Sequence, residues 1–309
     1  MKTFILSGVS LLALSGGAAM AAPTWDGVLT LGYANSSNDG GDAETLSLDG
    51  AASLDFGNGL SLDMDVVLMS VEADGQSVEA TKFGIAPEYH FASGLTLGAY
   101  LERGSLGGDA ISLGGDDIVM SALGLTIGME TETTDFEVYL GTGIAGDALD
   151  DFAGGLDVLH YGASLAVTPT DRLAVAAALQ FGEYGFNGNT LNSHSVGLAV
   201  NYEVTDAIAI FGAAQMTSVQ AFGLEMRQVG LGTSYDLGDL AGVPMVLSAE
   251  LARLQLNAGG TNLSEADTVR IGVTIPLGGK TDKMPQNSLA SGIFNPGHDP
   301  LVETIRMAF

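Results

Sequence analysis

The amino-acid sequence predicts an all-β fold: a transmembrane, antiparallel up-and-down β-barrel of about 14 strands, followed by a short C-terminal tail. Three observations support this fold class. Apolar and polar residues alternate along short segments, and compact turns recur at a nearly constant interval. In addition, 46% of the residues are hydrophobic, yet no stretch beyond the N-terminus offers the ~18 consecutive apolar residues of a membrane helix. Barrels of about 12 or about 16 strands are the alternatives.

The alternation is clearest between Ser53 and Leu68, where two segments flank a Gly-Asn-Gly turn. One side of this hairpin carries apolar residues: Leu54, Phe56, Leu60, Leu62, Met64, Val66 and Leu68. The other side carries Ser53, Asp55, Ser61, Asp63 and Asp65. Since successive side chains of a strand point to opposite faces, one face of this hairpin suits lipid and the other suits water.

Short turns recur about every 35 residues, and each is flanked by alternating segments of ~10 residues, the length that crosses a membrane at a tilt. These turns lie at Gly57–Gly59, Ala92–Gly94, Thr131–Asp135, Thr168–Arg172, Thr205–Ala207 and Gly238–Val243. Between the hairpins we predict longer polar loops, over residues 35–44, 73–80, 186–193 and 257–267. Short turns on one side and long loops on the other are typical of a barrel in the outer membrane of a Gram-negative bacterium. A β-propeller would need four strands per repeat, and each repeat here contains two.

The chain ends differ from the barrel segment. Residues 1–21 have the features of a secretory signal peptide: Lys2, an apolar run over residues 4–14, and Ala19-Met20-Ala21 before the expected cleavage point. The apolar run is too short to span a bilayer. We therefore predict three parts: a signal peptide (1–21), a transmembrane barrel (22–277) and a C-terminal periplasmic tail (278–309).

The alternation stops after Leu277. In the tail, Asp299-Pro300 can begin a short helix whose apolar face would carry Leu301, Ile305 and Phe309. The alternative is an added strand that ends at Phe309. We expect the helix, docked either in the barrel mouth as a plug or against the periplasmic rim.

The charge is strongly negative: 37 acidic residues face 10 basic residues, for a net charge of −27. Nucleic acid is excluded as a partner because its phosphates would be repelled, whereas cations would be attracted. There are no cysteines, so stability rests on sheet closure rather than on disulfides. We expect no cofactor. The two Leu-Gly-Gly-Asp segments at residues 106–109 and 113–116 lack a full set of ligands, so they predict at most weak calcium binding.

Aromatic residues sit on the predicted lipid face close to the short turns: Phe56, Tyr89, Phe91, Phe136, Tyr202 and Tyr235. This placement matches the aromatic girdle of an outer-membrane barrel, in which each ring lies half in lipid and half in water. The predicted surroundings of the barrel are therefore outer-membrane lipid.

The opposite face of each strand predicts a water-filled lumen. Its candidate pore-lining residues are Asp55, Asp63, Asp65, Lys82, Glu88, His90, Glu130, Glu137, Glu203, Asp236 and Arg270. Most of the acids lie near short turns, which predicts an acidic ring at the periplasmic end and a preference for cations. We expect Lys82 and Arg270 to pair with neighbouring acids. Small inward residues, such as Gly124, Gly197 and Gly232, predict an open lumen.

Acidic hairpins such as LSLDGAASLDFGNGLSLDMDV, the signal peptide and the terminal Phe309 resemble Gram-negative porins, in particular the α-proteobacterial type. The resemblance covers roughly residues 25 to 277. It implies a homotrimer and an inward-folded third extracellular loop, here Gly104 to Asp117. That loop would place Asp109, Asp116 and Asp117 at a constriction.

The sequence therefore predicts an outer-membrane porin for passive, cation-preferring diffusion of small hydrophilic solutes. The alternative is a non-conducting structural or adhesive barrel with acidic, ion-binding loops. We predict no enzymatic activity. The best candidate segment, Asn192 to Ser195, holds Ser193 next to His194, and adjacent residues of a strand point to opposite faces.

Overall fold

The computed structural model describes residues 23–38, 41–111, 116–153, 155–186, 188–220, 223–240, 243–278, 283–299 and 303. Within these residues the chain forms one closed antiparallel barrel of 14 strands, in which each strand pairs with its neighbours in sequence and the first strand pairs with the last. The predicted fold class and strand number are confirmed. The predicted signal peptide lies outside the described residues.

The strands are long. Their bounds are β1 Thr24–Asn38, β2 Gly41–Asp55, β3 Leu60–Ala73, β4 Gln76–His90, β5 Leu95–Gly107, β6 Ile118–Glu130, β7 Thr134–Ala145, β8 Leu156–Thr170, β9 Leu173–Phe186, β10 Asn189–Glu203, β11 Ile208–Val219, β12 Leu224–Leu240, β13 Val243–Ala258 and β14 Thr261–Leu277. Two short helices accompany them, α1 Asp147–Ala153 and α2 Leu289–Phe294. In the described part of the chain, neither helix has the length to cross a membrane.

The alternation of each strand separates two environments. On β1, Leu31 and Tyr33 are exposed on the outside, whereas Thr30 is fully buried on the inside, opposite Thr274 of β14. The same rule holds round the barrel, so a continuous belt of leucine, isoleucine, valine and aromatic side chains faces outward. An apolar belt of this extent on a closed barrel is built for lipid, since in water it would be an aggregation surface.

The predicted long loops are mostly strand, which corrects the sequence analysis. Hairpins close tightly at Asp74-Gly75 and Gly259-Gly260, with positive φ at all four residues. The sheet therefore extends through much of residues 73–80 and 257–267. Beyond the lipid belt both faces of a strand lie in water, so polar composition there does not mean loop. Among the described residues, the long connections between strands are 108–117 and 146–155.

Candidate functional site: the barrel lumen

The described part of the C-terminal tail, residues 283–299 and Glu303, lies inside the barrel. Ser288 caps helix α2 by accepting a hydrogen bond from the backbone N–H of Ser291, and the helix contacts strands β8 to β12. The tail contributes Met284, Leu289, Ala290 and Ile293 to a buried apolar cluster. We call the wall residues of this cluster the apolar seat: Ala176, Ala178, Ala199, Phe211 and Ala213. Helix α2 was not predicted. The helix predicted to begin at Asp299 falls mostly on residues 300–302 and 304–309, which lie outside the described residues; within that segment, the backbone N–H of Glu303 donates to the carbonyl of Asp299 at 3.0 Å.

Small residues of the lumen wall make room for this tail. A Cβ atom on Gly197 would lie 2.9 Å from Cγ1 of Ile293, and one on Gly230 would lie 3.6 Å from Cβ of Leu289. Gly124 and Gly232 are in close contact with the rings of Tyr100 and Phe211. The prediction that small inward residues leave the lumen open is therefore wrong at these positions, because other side chains occupy the space.

The polar end of the tail is held by His298. Its Nδ1 lies 2.9 Å from Glu102 Oε1, and its Nε2 lies 3.2 Å from Glu137 Oε1. The imidazole also stacks on Tyr100, with 3.8 Å between ring centroids and an interplanar angle of 8°. Burial by itself lowers the pKa of His298, but the hydrogen bonds and charges of Glu102 and Glu137 outweigh burial and raise this pKa to about 9. At neutral pH the tail therefore carries a positive charge into an acidic wall.

Buried ion pairs extend this contact. Lys82 Nζ lies 2.6 Å from Glu303 Oε1 of the tail, 3.6 Å from Asp65 and 3.9 Å from Glu102. Across the lumen, Arg270 Nη1 lies 3.0 Å from Glu250 Oε2. In these contacts Lys82 and Arg270 each pair with acidic side chains, as expected.

Two further contacts fix the start of the tail. The other carboxylate oxygen of Glu250 accepts the backbone N–H of Leu289 at 3.3 Å, at the start of α2. At the end of β10, Lys283 Nζ lies 3.3 Å from Glu203 Oε2. Because the wall supplies the partners for buried tail groups, removing the wall carboxylates would leave those groups unpaired.

A cavity of about 830 Å³ lies between the tail and strands β2 to β7, and it reaches the short turn at Gly57 and Gly59. Eight of the predicted pore-lining residues border it: Asp55, Asp63, Asp65, Lys82, Glu88, His90, Glu130 and Glu137. The remaining three lie elsewhere. Glu203 pairs with Lys283, Arg270 pairs with Glu250, and Asp236 accepts the N–H of Gly238 within its own turn. The structure thus gathers the acids of one side of the barrel into one space.

The described part of the third long loop contacts the barrel wall. The backbone N–H of Ala110 donates to the carbonyl of Ser77 at the start of β4, and the Ser77 hydroxyl lies 3.4 Å from Asp109 Oδ2. Asp109, Asp116 and Asp117 are exposed, and residues 112–115 lie outside the described residues. In the described part of the chain, the segment that crosses the lumen is the tail.

Several residues of the lumen were not predicted. Glu102 shares the inward face of β5 with Gly98, so the alternation along this strand could have identified Glu102 as a lumen residue. Tyr139 is likewise buried inside the barrel, where its ring contacts His298. The lumen position of His298 and Glu303 could not be predicted, since the tail has no periodic pattern that relates it to the wall.

Within the described residues, no group of three or more His, Asp or Glu side chains is arranged to hold a metal ion.

Comparison with known proteins agrees with the fold. No protein-family model matches the chain, and no curated sequence matches it. Among solved structures, it is similar to an anion-selective porin from Comamonas acidovorans, with 14% identity, 83% of this chain and 99% of that chain covered, and a TM-score of 0.50. It is also similar to a FadL homologue from Pseudomonas aeruginosa, with 12% identity, 82% and 90% covered, and a TM-score of 0.50. At these identities the likeness concerns the fold. The fold and the apolar belt together define an outer-membrane β-barrel.

Proposed function

We propose that this protein is an outer-membrane channel for small hydrophilic solutes, that it prefers cations, and that its own C-terminal tail closes the lumen. The observation that carries the proposal is the acidic cavity beside the tail. A barrel that served only as a scaffold would not need a cavity bordered by six carboxylates and one imidazole of the predicted pore-lining residues.

Cation preference rests on the charge of this cavity. Asp55, Asp63, Glu88, Glu130 and Glu137 face it, and Lys82, which also faces it, is engaged by Asp65, Glu102 and Glu303. A lumen with an excess of carboxylates concentrates cations and repels anions. The Comamonas acidovorans porin is anion-selective, so the likeness to it lends no support to this preference, which depends on the residues of this chain.

Closure rests on how the rest of the lumen is filled. Towards the long-loop end, Met69, Val71 and Ala80 form one buried cluster, and Met120, Val158 and Tyr184 form another. Helix α2 and the buried ion pairs occupy the middle. The acidic cavity is therefore a vestibule that opens at the short-turn end, and a continuous path requires the tail to leave its place.

The second candidate is a non-conducting barrel, in which the tail is a permanent part of the core. The apolar seat favours it, since Ala290 and Phe211 are fully buried there and their separation exposes apolar surface to water. In that case the acidic cavity would bind ions without passing them.

Planar-bilayer recording under a KCl gradient separates the two. We expect rare, brief openings from the full mature chain and steady steps with a cation-sided reversal potential from a variant that lacks residues 283–309. Heat-modifiable migration in gels is the control for folding of both proteins. Folded truncated barrels that give no steps would contradict the channel, and an anion-sided potential would contradict the proposed selectivity.

Three further points belong to this proposal: the kinship with α-proteobacterial porins, assembly as a homotrimer, and a role of Asp109, Asp116 and Asp117 in attracting cations at the outer end. Analytical ultracentrifugation in detergent tests the trimer. Neutralising the three aspartates together tests the third point, and it should lower the cation preference at low salt. Calcium titration of the parent protein, compared with the same variant, tests weak ion binding by the loop.

A further inference from the structure

Three polar side chains from three strands meet in the wall of the acidic cavity. Ser61 Oγ of β3 lies 2.9 Å from His90 Nε2 at the end of β4. The other ring nitrogen, His90 Nδ1, lies 2.9 Å from Glu130 Oε2 at the end of β6. All three residues border the cavity. Neither the porin resemblance nor the channel proposal assigns a role to this contact.

The sheet explains why these residues meet. Ser61 pairs with Glu88 across β3 and β4, and His90 lies two residues further along the same face. His90 pairs with Thr96 of β5, which in turn pairs with Gly128 of β6, two residues before Glu130. The backbone N–H of His90 donates to Gly59 at 2.6 Å, and that of Glu130 donates to Gly94 at 2.8 Å. The group therefore stands on paired strand ends.

The protonation of the imidazole follows from its neighbours. The Glu130 carboxylate can only accept, so Nδ1 of His90 carries the proton that faces it. Nε2 of the neutral ring is then the acceptor for the Ser61 hydroxyl. A hydroxyl bound to a general base, whose other nitrogen is oriented by a carboxylate, is the arrangement of an activated serine nucleophile.

We infer that Ser61, His90 and Glu130 form an acyl-transfer site that hydrolyses small carboxylic esters from the periplasmic side. Ser61 Oγ attacks the acyl carbon while its proton passes to His90 Nε2, and Glu130 stabilises the imidazolium. The alkoxide leaves with that proton as an alcohol, which yields an acyl-serine. Water then attacks this ester and gives a proton to His90, which passes it to Ser61 Oγ as the carboxylic acid leaves.

The surroundings define the substrate class. Asp55, Asp63 and Glu88 border the same cavity, so anionic esters are repelled and neutral or cationic esters are admitted. Glu88 Oε2 lies 3.7 Å from His90 Nε2 and adds to the stabilisation of the imidazolium. The backbone N–H groups on β3 and β4 beside Ser61 belong to the sheet ladder. The oxyanion therefore lacks a dedicated pair of backbone donors, and we expect turnover ~100-fold or more below that of hydrolases with a formed oxyanion hole.

Because turnover is slow, covalent labelling is the sharper test. The refolded full chain is incubated with a neutral fluorophosphonate probe, and the labelled residue is identified by peptide mass spectrometry. Labelling should map to Ser61 and should fall at least tenfold in Ser61→Ala and in His90→Ala. Ser53→Ala is the matched control, since Ser53 borders the same cavity and makes no described hydrogen bond to a histidine. It should label as the parent protein does.

Hydrolysis of p-nitrophenyl acetate and of acetylthiocholine gives the second readout. Glu130→Gln should lower the acylation rate about tenfold without changing the half-saturating ester concentration, as expected of a positioning residue. Heat-modifiable migration shows that each variant is folded. A folded parent protein without label, or equal labelling of Ser61→Ala, would overturn the inference. Neither result bears on conductance, so the channel proposal stands or falls separately.

Discussion

The two sides of the lumen differ in how they use their inward residues. On β9 to β11 the residues that face α2 are apolar, and they pack against the helix in one buried cluster. On β2 to β7 they include the carboxylates, the hydroxyls and the imidazole that border the cavity. The strands themselves have the same alternation and comparable lengths. One barrel frame therefore serves both as a dry packing surface and as the wall of a hydrated space, and side-chain chemistry alone makes the difference.

The tail is matched to this division. Its apolar residues Leu289 and Ile293 face the apolar seat, whereas His298 and Glu303 reach the acidic side and its lysine. Burial of apolar area holds one half of the tail, and charge-assisted hydrogen bonds hold the other. Changes on the two sides should therefore have different sizes and different sensitivities to pH and salt.

The largest effect is expected from a charged residue placed against the apolar seat. Ile293→Asp would bury a carboxylate against the apolar seat, at a cost of ~3 kcal/mol or more, so the docked fraction of the tail should fall by about 100-fold or more. Limited proteolysis of the tail measures this change. Ile293→Val is the matched control, with an expected loss of about 1 kcal/mol. Equal proteolysis of the two variants would show that water reaches the apolar seat.

The next largest effect is expected at the polar anchor. His298→Ala removes two charge-assisted hydrogen bonds and the stacking on Tyr100. We expect tail docking to weaken by about 2 kcal/mol, or roughly 30-fold, as read from the open probability in bilayers. A double-mutant cycle with Glu102→Gln should show coupling of the two losses. Additive losses would mean that the contact contributes little.

Tail docking should also depend on pH. The pKa of His298 is raised from an ordinary 6.5 to about 9 in the docked tail, so its contribution is fully present below pH 6.5 and is lost as pH rises through about 9. Glu102, Glu137, Tyr100 and Tyr139 contact this ring, and His160 lies beside both tyrosines. Open probability should therefore rise from neutral pH to pH 10, and His298→Gln should flatten this rise. A rise that persists in the variant would assign the effect to another group.

The smallest effect concerns selectivity on the acidic side. Asp63→Asn combined with Glu88→Gln should lower the cation-to-anion permeability ratio by roughly half, because other carboxylates of the cavity remain. The reversal potential of the tail-deleted barrel measures it. Glu225→Gln is the control, since this carboxylate pairs with Arg227 on β12, away from the cavity. A shift of equal size in the control would point to general surface charge.

Much of the barrel could be predicted from local pattern. Strand number, the outward face of Tyr89 and the inward face of Asp63 all follow from a period of two residues. The polar hairpin ends were missed because the same period carries no apolar signal outside the lipid. Helix α2 was missed because it contains only six residues and owes its position to the apolar seat rather than to its own pattern.

The sequence by itself determined the alternation, and with it the lipid-facing belt, the acidic inner face and the closed antiparallel barrel. Only the tertiary structure decided which inward residues meet one another. Ser61 and His90 are 29 positions apart, and Lys82 and Glu303 are 221 apart. The side of a strand on which a residue lies depends on its own position, so it is local information. The partner of a residue across the lumen depends on strand register, barrel closure and the path of the tail, which arise only when the whole chain is assembled.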